Sequence, residues 1–394
     1  MDWKTILQGE QTDFINRDET APNAQVYFNL GLARSKLGDK QGAIDDFTQA
    51  IHIDPNFAQP YCYRGVDRYL LGDKQGGIDD FTQAIHIDPN FAKAYHNRGV
   101  ARSDLGDKQG GIDDFTQAIH IDPNFAKAYY KRGLDRSDLG DEEGAVDDFT
   151  QAIHIDPNFA KAYHKRGLAR SDLGDKQGGI DDFTQAIKID PNFAKAYYQR
   201  GVVRSDLGDE EGAIADYTQA IQIDRNFAQA YHNRGVVHSK LGDNQGAIDD
   251  FTQAIHIDPN FACGYFNRGV VRYLLGDEEG AIDDYTQAIQ IDPNFAYGYF
   301  NRGVARHLLG DEEGAIDDYT QAIQIDPNDA DAYFFRGNAR SKLGDKQSAI
   351  DDFETAANIY KRQGKTKDYQ TAMDRITYLK DNCPSWNSLM STHT

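Results

Sequence analysis

Prolines at Pro55, Pro89, Pro123, Pro157, Pro191, Pro259, Pro293 and Pro327 fall on one 34-residue grid, and Arg225 fills its single empty slot. A chain that repeats at this period without an insertion cannot be read as two or three conventional globules, whatever its length suggests. Each copy is one small structural unit with too little apolar surface to stand alone. The copies must therefore cover one another in a stack, held by interfaces between neighbours. Ten copies begin at Ala24, Ala58, Ala92, Ala126, Ala160, Ala194, Ala228, Ala262, Ala296 and Ala330 and run to residue 363.

The third copy, 92–125, shows what one unit contains. Its first half carries Tyr95, Gly99 and Val100 at helical spacing. Leu105-Gly106-Asp107 then reads as a stop and a restart: Gly suits a left-handed helix end, and Asp suits the N-cap of the next helix. Ile112, Phe115, Ala118 and Ile119 lie on one face of that second helix. Pro123 ends it, and Asn124 is expected to cap the helix that follows. The unit is a pair of antiparallel helices, so the fold class is all-α. The open ends of such a stack need covers. Residues 364–382 are expected to form a C-terminal capping helix with an apolar stripe of Tyr369, Met373, Ile376 and Leu379. Residues 1–23 are the N-terminal capping segment, with Trp3, Leu7 and Phe14 inward, and 383–394 is a loose, Ser- and Thr-rich tail. Gly-Gly pairs at Gly76-Gly77, Gly110-Gly111 and Gly178-Gly179 are expected to soften the middle of the stack.

Charge narrows the function classes. The formal net charge is −21, from 63 acidic and 42 basic residues. Nucleic acid demands a basic footprint, and an anionic membrane surface repels such a chain. No apolar run is long enough to span a bilayer, and the start at Met1 lacks the basic and apolar regions of a secretory signal. Three cysteines, Cys62, Cys263 and Cys383, form neither a disulfide framework nor a zinc motif. These features together point to a reducing, cytoplasmic setting.

The period and its residues resemble the tetratricopeptide repeat family. Position 4 is aromatic from Tyr27 to Tyr333, and position 8 is Gly from Gly31 to Gly337. Position 24 is Phe or Tyr, position 27 is Ala, and position 32 is usually Pro. The wording Tyr-x-x-Arg-Gly-x-x-Arg-x-x-Leu-Gly-Asp is similar to repeats common in cyanobacterial proteins. The resemblance implies a right-handed α-solenoid superhelix that works as a protein-binding scaffold. Two positions depart from the family pattern. Position 7 is Arg in nine copies, such as Arg302, and position 11 is Arg in nine, such as Arg306. Opposite them, position 23 is Asp in every copy, as in Asp318. Two readings follow: a ladder of arginines for an acidic ligand, or structural pairs with the aspartates. The resemblance favours the second, since family members turn these positions toward the partner helix.

In the family, positions 2, 5, 9, 12 and 13 of the first helices look into a concave groove. Copies three to six are polar there, with Lys93, Lys127, Lys161 and Lys195 at position 2 and Asp104, Asp138, Asp172 and Asp206 at position 13. The last three copies are aromatic and aliphatic. Their candidate partner-binding residues are Phe266, Val270, Tyr273, Leu274, Tyr297, Phe300, Val304, His307, Leu308 and Phe334. Apolar clusters of this kind mark binding surfaces, and aromatic anchors are frequent hot spots. Packing between neighbouring first helices, or docking of the chain's own Trp386, Leu389 and Met390, would also explain them. A smaller cluster surrounds Tyr63, Tyr69 and Leu70. The family's clamp for a peptide C-terminal carboxylate needs Lys at position 5 and Asn at position 9 of one copy, and no copy has both. Histidines follow the repeat, and no phosphate loop, calcium loop or nucleophile elbow is present. The expectation is a non-enzymatic scaffold without cofactor or metal. It binds a peptide or helical segment of a protein partner; the alternative is a self-associating assembly factor.

Overall fold

The computed structural model describes residues 23–381. The expected N-terminal cap (residues 1–22 of it) and the tail with Trp386, Leu389 and Met390 lie outside the described residues. Among the described residues all regular structure is helical, in 21 helices. Each repeat contributes two, and Thr366–Asp381 adds a last one. The described residues form two compact portions, divided between Pro191 and Asn192, and each is a stack of antiparallel helix pairs.

Local chemistry sets the element ends. In the third repeat the helices are Ala92–Asp104 and Lys108–Ile121. Between them Gly106 takes φ 93°, a region costly for any residue with a Cβ. Gly106 N–H donates to Ser103 O, and Asp107 N–H donates to Arg102 O, both at 3.0 Å. These two bonds close the first helix in a Schellman motif. Asp107 then accepts from Gly110 N–H at 2.9 Å and caps the second helix. Asn124 does not cap the next helix as the sequence led us to expect. The N-cap is Phe125, without a side-chain bond. Asn124 instead donates its own N–H to Asp122 Oδ1 at 3.0 Å. Asp122 therefore stabilises the turn after the second helix, and Asn124 is held by it.

Small residues let the helices approach. A Cβ on Gly99 would lie 2.8 Å from the Phe115 ring. Ala94, Ala101 and Ala118 are fully buried. The Gly-Gly pairs have a packing role that propensity alone does not reveal. A Cβ on Gly111 would come within 2.2 Å of Ser103 Oγ and 2.6 Å of Asp135 Oδ2. That space holds a buried polar contact: Ser103 Oγ donates to the Asp135 carboxylate, and Lys108 Nζ lies 3.2 Å from Asp135 Oδ1. Burial pushes the Asp135 carboxyl above its usual range, with Ser103 and Lys108 working against that rise.

The arginines are structural. In the ninth repeat Arg302 Nε and Nη2 donate to Asp318 Oδ2 and Oδ1 at 3.0 and 2.6 Å. Arg306 Nη1 donates to the same carboxylate at 3.0 Å. Arg302 also lies over the Tyr299 ring, 5.7 Å from its centroid, and donates to Thr286 of the preceding repeat at 3.0 Å. Asp318 is 2% exposed, so three charge-assisted bonds converge on a buried carboxylate. The same arrangement recurs at Arg98, Arg102 and Asp114. The first repeat has Leu30 at position 7, leaving Asp46 with Arg34 alone at 3.1 Å. Its carboxyl is pushed up by burial, which Arg34 only partly opposes.

The last helix, Thr366–Asp381, lays Met373, Ile376 and Leu379 against Ala349, Ile350 and Phe353. Tyr369 joins the neighbouring cluster around Ala356 and Tyr360.

Candidate partner-binding surfaces

In the C-terminal portion, the first helices Ala262–Leu274, Ala296–Leu308 and Ala330–Lys342 carry the ten candidate residues. They separate into two kinds. Phe266, Phe300 and Phe334 are half-buried rings. Phe266 packs on Tyr285 and Phe295, with centroids 5.7 and 4.8 Å away. Phe300 packs on Tyr319 at 5.8 Å, and Phe334 on Phe353 at 5.4 Å. Val270, Tyr273 and Val304 are likewise half-buried. Leu274, Tyr297 and Leu308 are open, at 65%, 68% and 57% exposure. Leu274 and Leu308 each end their helix beside another exposed leucine, Leu275 and Leu309. Leu275 and Leu309 are the position-14 leucine, which is exposed in every repeat, so the apolar exposure particular to these two repeats within this portion is Leu274, Tyr297 and Leu308.

His307 does not simply add to that patch. Its Nδ1 lies 2.6 Å from Glu312 Oε2, and Lys342 Nζ lies 2.5 Å from Glu312 Oε1. Glu312 is 5% exposed. Burial disfavours its charge, but Lys342 and His307 more than offset this and hold the carboxyl below its usual value. Sequence reasoning missed this bridge between the ninth and tenth repeats. The available signal was His at position 12 five residues before Glu at position 17, where other repeats have Ser or Tyr at position 12. The bridge borders a 350 Å³ cleft that Asn338, Phe353 and Arg375 also line.

The N-terminal portion offers different chemistry. The first helices Ala92–Asp104, Ala126–Asp138 and Ala160–Asp172 place lysines at Lys93, Lys127, Lys131, Lys161 and Lys165. A 290 Å³ cleft is lined by Lys108, Lys131 and Lys165, by Asp104, Asp135 and Asp138, and by Val100 and Leu134. Lys108 is bound within it, 2.6 Å from Asp138. Asp104 accepts from the Tyr69 hydroxyl. His96 packs on Phe115 and Phe125 at 5.6 and 4.8 Å. Burial lowers its pKa to about 4, with Lys131 and Lys127 adding to the effect. Of the second-repeat cluster, Tyr63 packs on Phe28 at 5.6 Å, and Leu70 is exposed.

Among the described residues, no group of three or more His, Cys, Asp or Glu side chains is placed to hold a metal ion. No described helix is long and apolar enough to cross a membrane.

Profiles described as tetratricopeptide repeat match residues 24–57, 92–125 and 330–363, and one described as TPR repeat matches 271–310 and 306–344. A profile of the ETO1 C-terminal domain matches residues 128–265. No curated protein sequence matches the chain. Among solved structures, a MamA protein is 28% identical over 44% of this chain and 94% of its own, with TM-score 0.40. YrrB, described as a TPR protein with an unusual peptide-binding site, is 21% identical over 48% and 97%, with TM-score 0.43. Yeast Tom70 is 15% identical over 94% and 99%, with TM-score 0.44.

Proposed function

Taking as premise that this chain is built of tetratricopeptide repeats, we infer that it is a non-enzymatic scaffold holding a segment of a protein partner. Repeats of this family typically mediate protein–protein interaction. The segment lies on the first helices of the last three repeats and is apolar, helical or extended. One observation carries the reading: Leu274, Tyr297 and Leu308 are open to solvent on adjacent repeats whose core positions are already filled. In this reading the half-buried Phe266, Phe300, Phe334, Val270, Tyr273, Val304 and His307 of the same helices support the segment from below. An apolar patch that the fold does not need is a binding surface more often than an accident.

The test is affinity capture from source-cell lysate with wild type and with Leu274→Glu, Leu308→Glu. Phe266 and Phe300 are unsuitable targets, because charge there would break ring packing inside the repeat. A partner lost only with the double variant, at unchanged helical content, supports the reading. An unchanged set of partners removes this surface from consideration. Size that grows with concentration in light scattering, and falls in the same variant, would make a second copy the partner.

A further inference from the structure

Five lysines of the third to fifth repeats have no part in the fold's ion pairs. Lys127 and Lys131 are four residues apart on one helix, as are Lys161 and Lys165 on the next, so each pair shares a helix face. Lys93 continues the row on the third repeat. Among the described residues none of the five lies in an ion pair, whereas the neighbouring Lys108 bridges Asp135 and Asp138. Lys131 and Lys165 enter the same cleft, and Lys127 and Lys131 both act on His96. Of the acids on that helix face, Asp104 accepts from Tyr69 and Asp138 is held by Lys108. The three first helices carry eleven Lys and Arg against four Asp, so this face is positive, although the three repeats taken whole are net negative in a chain of net charge −21.

We propose that this row is a second recognition surface, for an extended acidic protein segment with carboxylates at every third residue. The spacing follows from the scaffold. Packed helices sit about 8–10 Å apart, and an extended chain advances roughly 3.3 Å per residue. Each repeat, with a lysine pair in the fourth and fifth and Lys93 alone in the third, therefore meets one carboxylate per three residues. The acids that remain beside the row, Asp104, Asp138 and Asp172, disfavour a continuous polyanion such as nucleic acid. A peptide with neutral residues between its carboxylates avoids them. This surface lies wholly within the N-terminal portion and does not depend on the apolar reading above.

The probe is a fluorescein-labelled peptide of four Glu-Ser-Gly triplets, followed by anisotropy with the intact chain at low salt. We expect binding that weakens at least about tenfold in Lys131→Glu, Lys165→Glu and, at the more exposed lysines, in Lys127→Glu, Lys161→Glu. The Gln-Ser-Gly peptide should not bind, and Leu274→Glu, Leu308→Glu should bind like wild type. Circular dichroism melts show whether the lysine variants fold. The proposal is overturned if wild type does not bind, or if folded lysine variants bind as well as wild type. An isomer with its four glutamates contiguous binding equally tightly overturns the spacing. An oligothymidine probe binding more tightly than the peptide overturns the assignment to protein.

Discussion

The third to fifth repeats and the eighth to tenth share one skeleton and present opposite surfaces. Both contain the same arginine pair on a buried aspartate: Arg98 and Arg102 on Asp114, Arg302 and Arg306 on Asp318. Both cap their second helices with aspartate, as at Asp107 and Asp311. They differ at positions 2, 12 and 13, where Lys127, Ser137 and Asp138 in one become Tyr297, His307 and Leu308 in the other. The arginine–aspartate skeleton is thus constant where positions 2, 12 and 13 vary, although Asp138 and His307 also take part in bonds that tie repeats together. A stack can diversify its surface while its main helix interfaces stay the same.

The strongest challenge to this separation strikes the shared skeleton. Asp318→Ala leaves two half-buried guanidinium groups without their carboxylate, and Asp114→Ala does the same in the other stretch. Each is expected to cost about 3–5 kcal/mol, measured as a fall in the urea midpoint. Arg302→Ala should cost less, since the buried Asp318 keeps Arg306 at 3.0 Å, as Asp46 keeps Arg34 in the first repeat. Equal losses in the two stretches support a common skeleton. A midpoint like wild type in either would show that the ladder there is not structural.

Acid distinguishes the stretches next. Position 5 is His96 in the third repeat and Phe266 in the eighth, in equivalent ring clusters. Burial holds His96 at about 4, with Lys131 and Lys127 contributing, whereas an unfolded histidine titrates near 6.5. Between those values the unfolded chain binds more protons than the folded one, so stability falls as pH drops from about 6.5 toward 4. His96→Phe should flatten that part of the profile in chemical denaturation at several pH values. His232, held at about 4 by burial, leaves a similar dependence in the other portion. A slope unchanged in His96→Phe would mean that this ring is not buried in solution as it is here.

A smaller effect tests whether the turns are equivalent. Asp107→Ala and Asp277→Ala each remove one carboxylate cap from a second helix. Each should lose about 1 kcal/mol, and hydrogen exchange should rise first at Gly110 and Gly280, whose amides are released. Unequal losses would show that the two stretches differ in local stability as well as in surface.

Much of the skeleton was legible because it is written ten times. The helix pair, the Gly106 turn and the Asp107 cap each follow from residue types at fixed offsets. The arginine–aspartate pairing was legible as a class but not in detail: Thr286 joins Arg302 across repeats, and nothing about a helix-surface threonine marks it for that role. Asn124 misled because asparagine is a good cap in isolation, while the helix starts at Ala126 and so puts Phe125 at the N-cap position, one residue further on. The candidate surface was legible only as a set. Phe266 and Tyr297 are both aromatic on first helices, yet one is packed and the other open. Helical periodicity cannot separate them, since the difference arises from the Phe295 and Tyr285 rings that close over Phe266. The His307–Glu312–Lys342 bridge spans two repeats and falls outside any reading of one repeat at a time.

The smallest expected change in stability is also the sharpest test of the separation. Leu274→Asp and Leu308→Asp install the residue found at this position in Asp138 and Asp172. Leu274 and Leu308 are more than half exposed, so the double variant should melt within about 0.5 kcal/mol of wild type, as surface changes do. Binding of an environment-sensitive apolar dye to the folded chain should nevertheless drop, because two of the open side chains of the last repeats are replaced by charge. If the double variant instead melts much earlier, Leu274 and Leu308 hold the stack together. Position 13 would then belong to the skeleton, and the apolar face of the last repeats would be packing that happens to reach the surface.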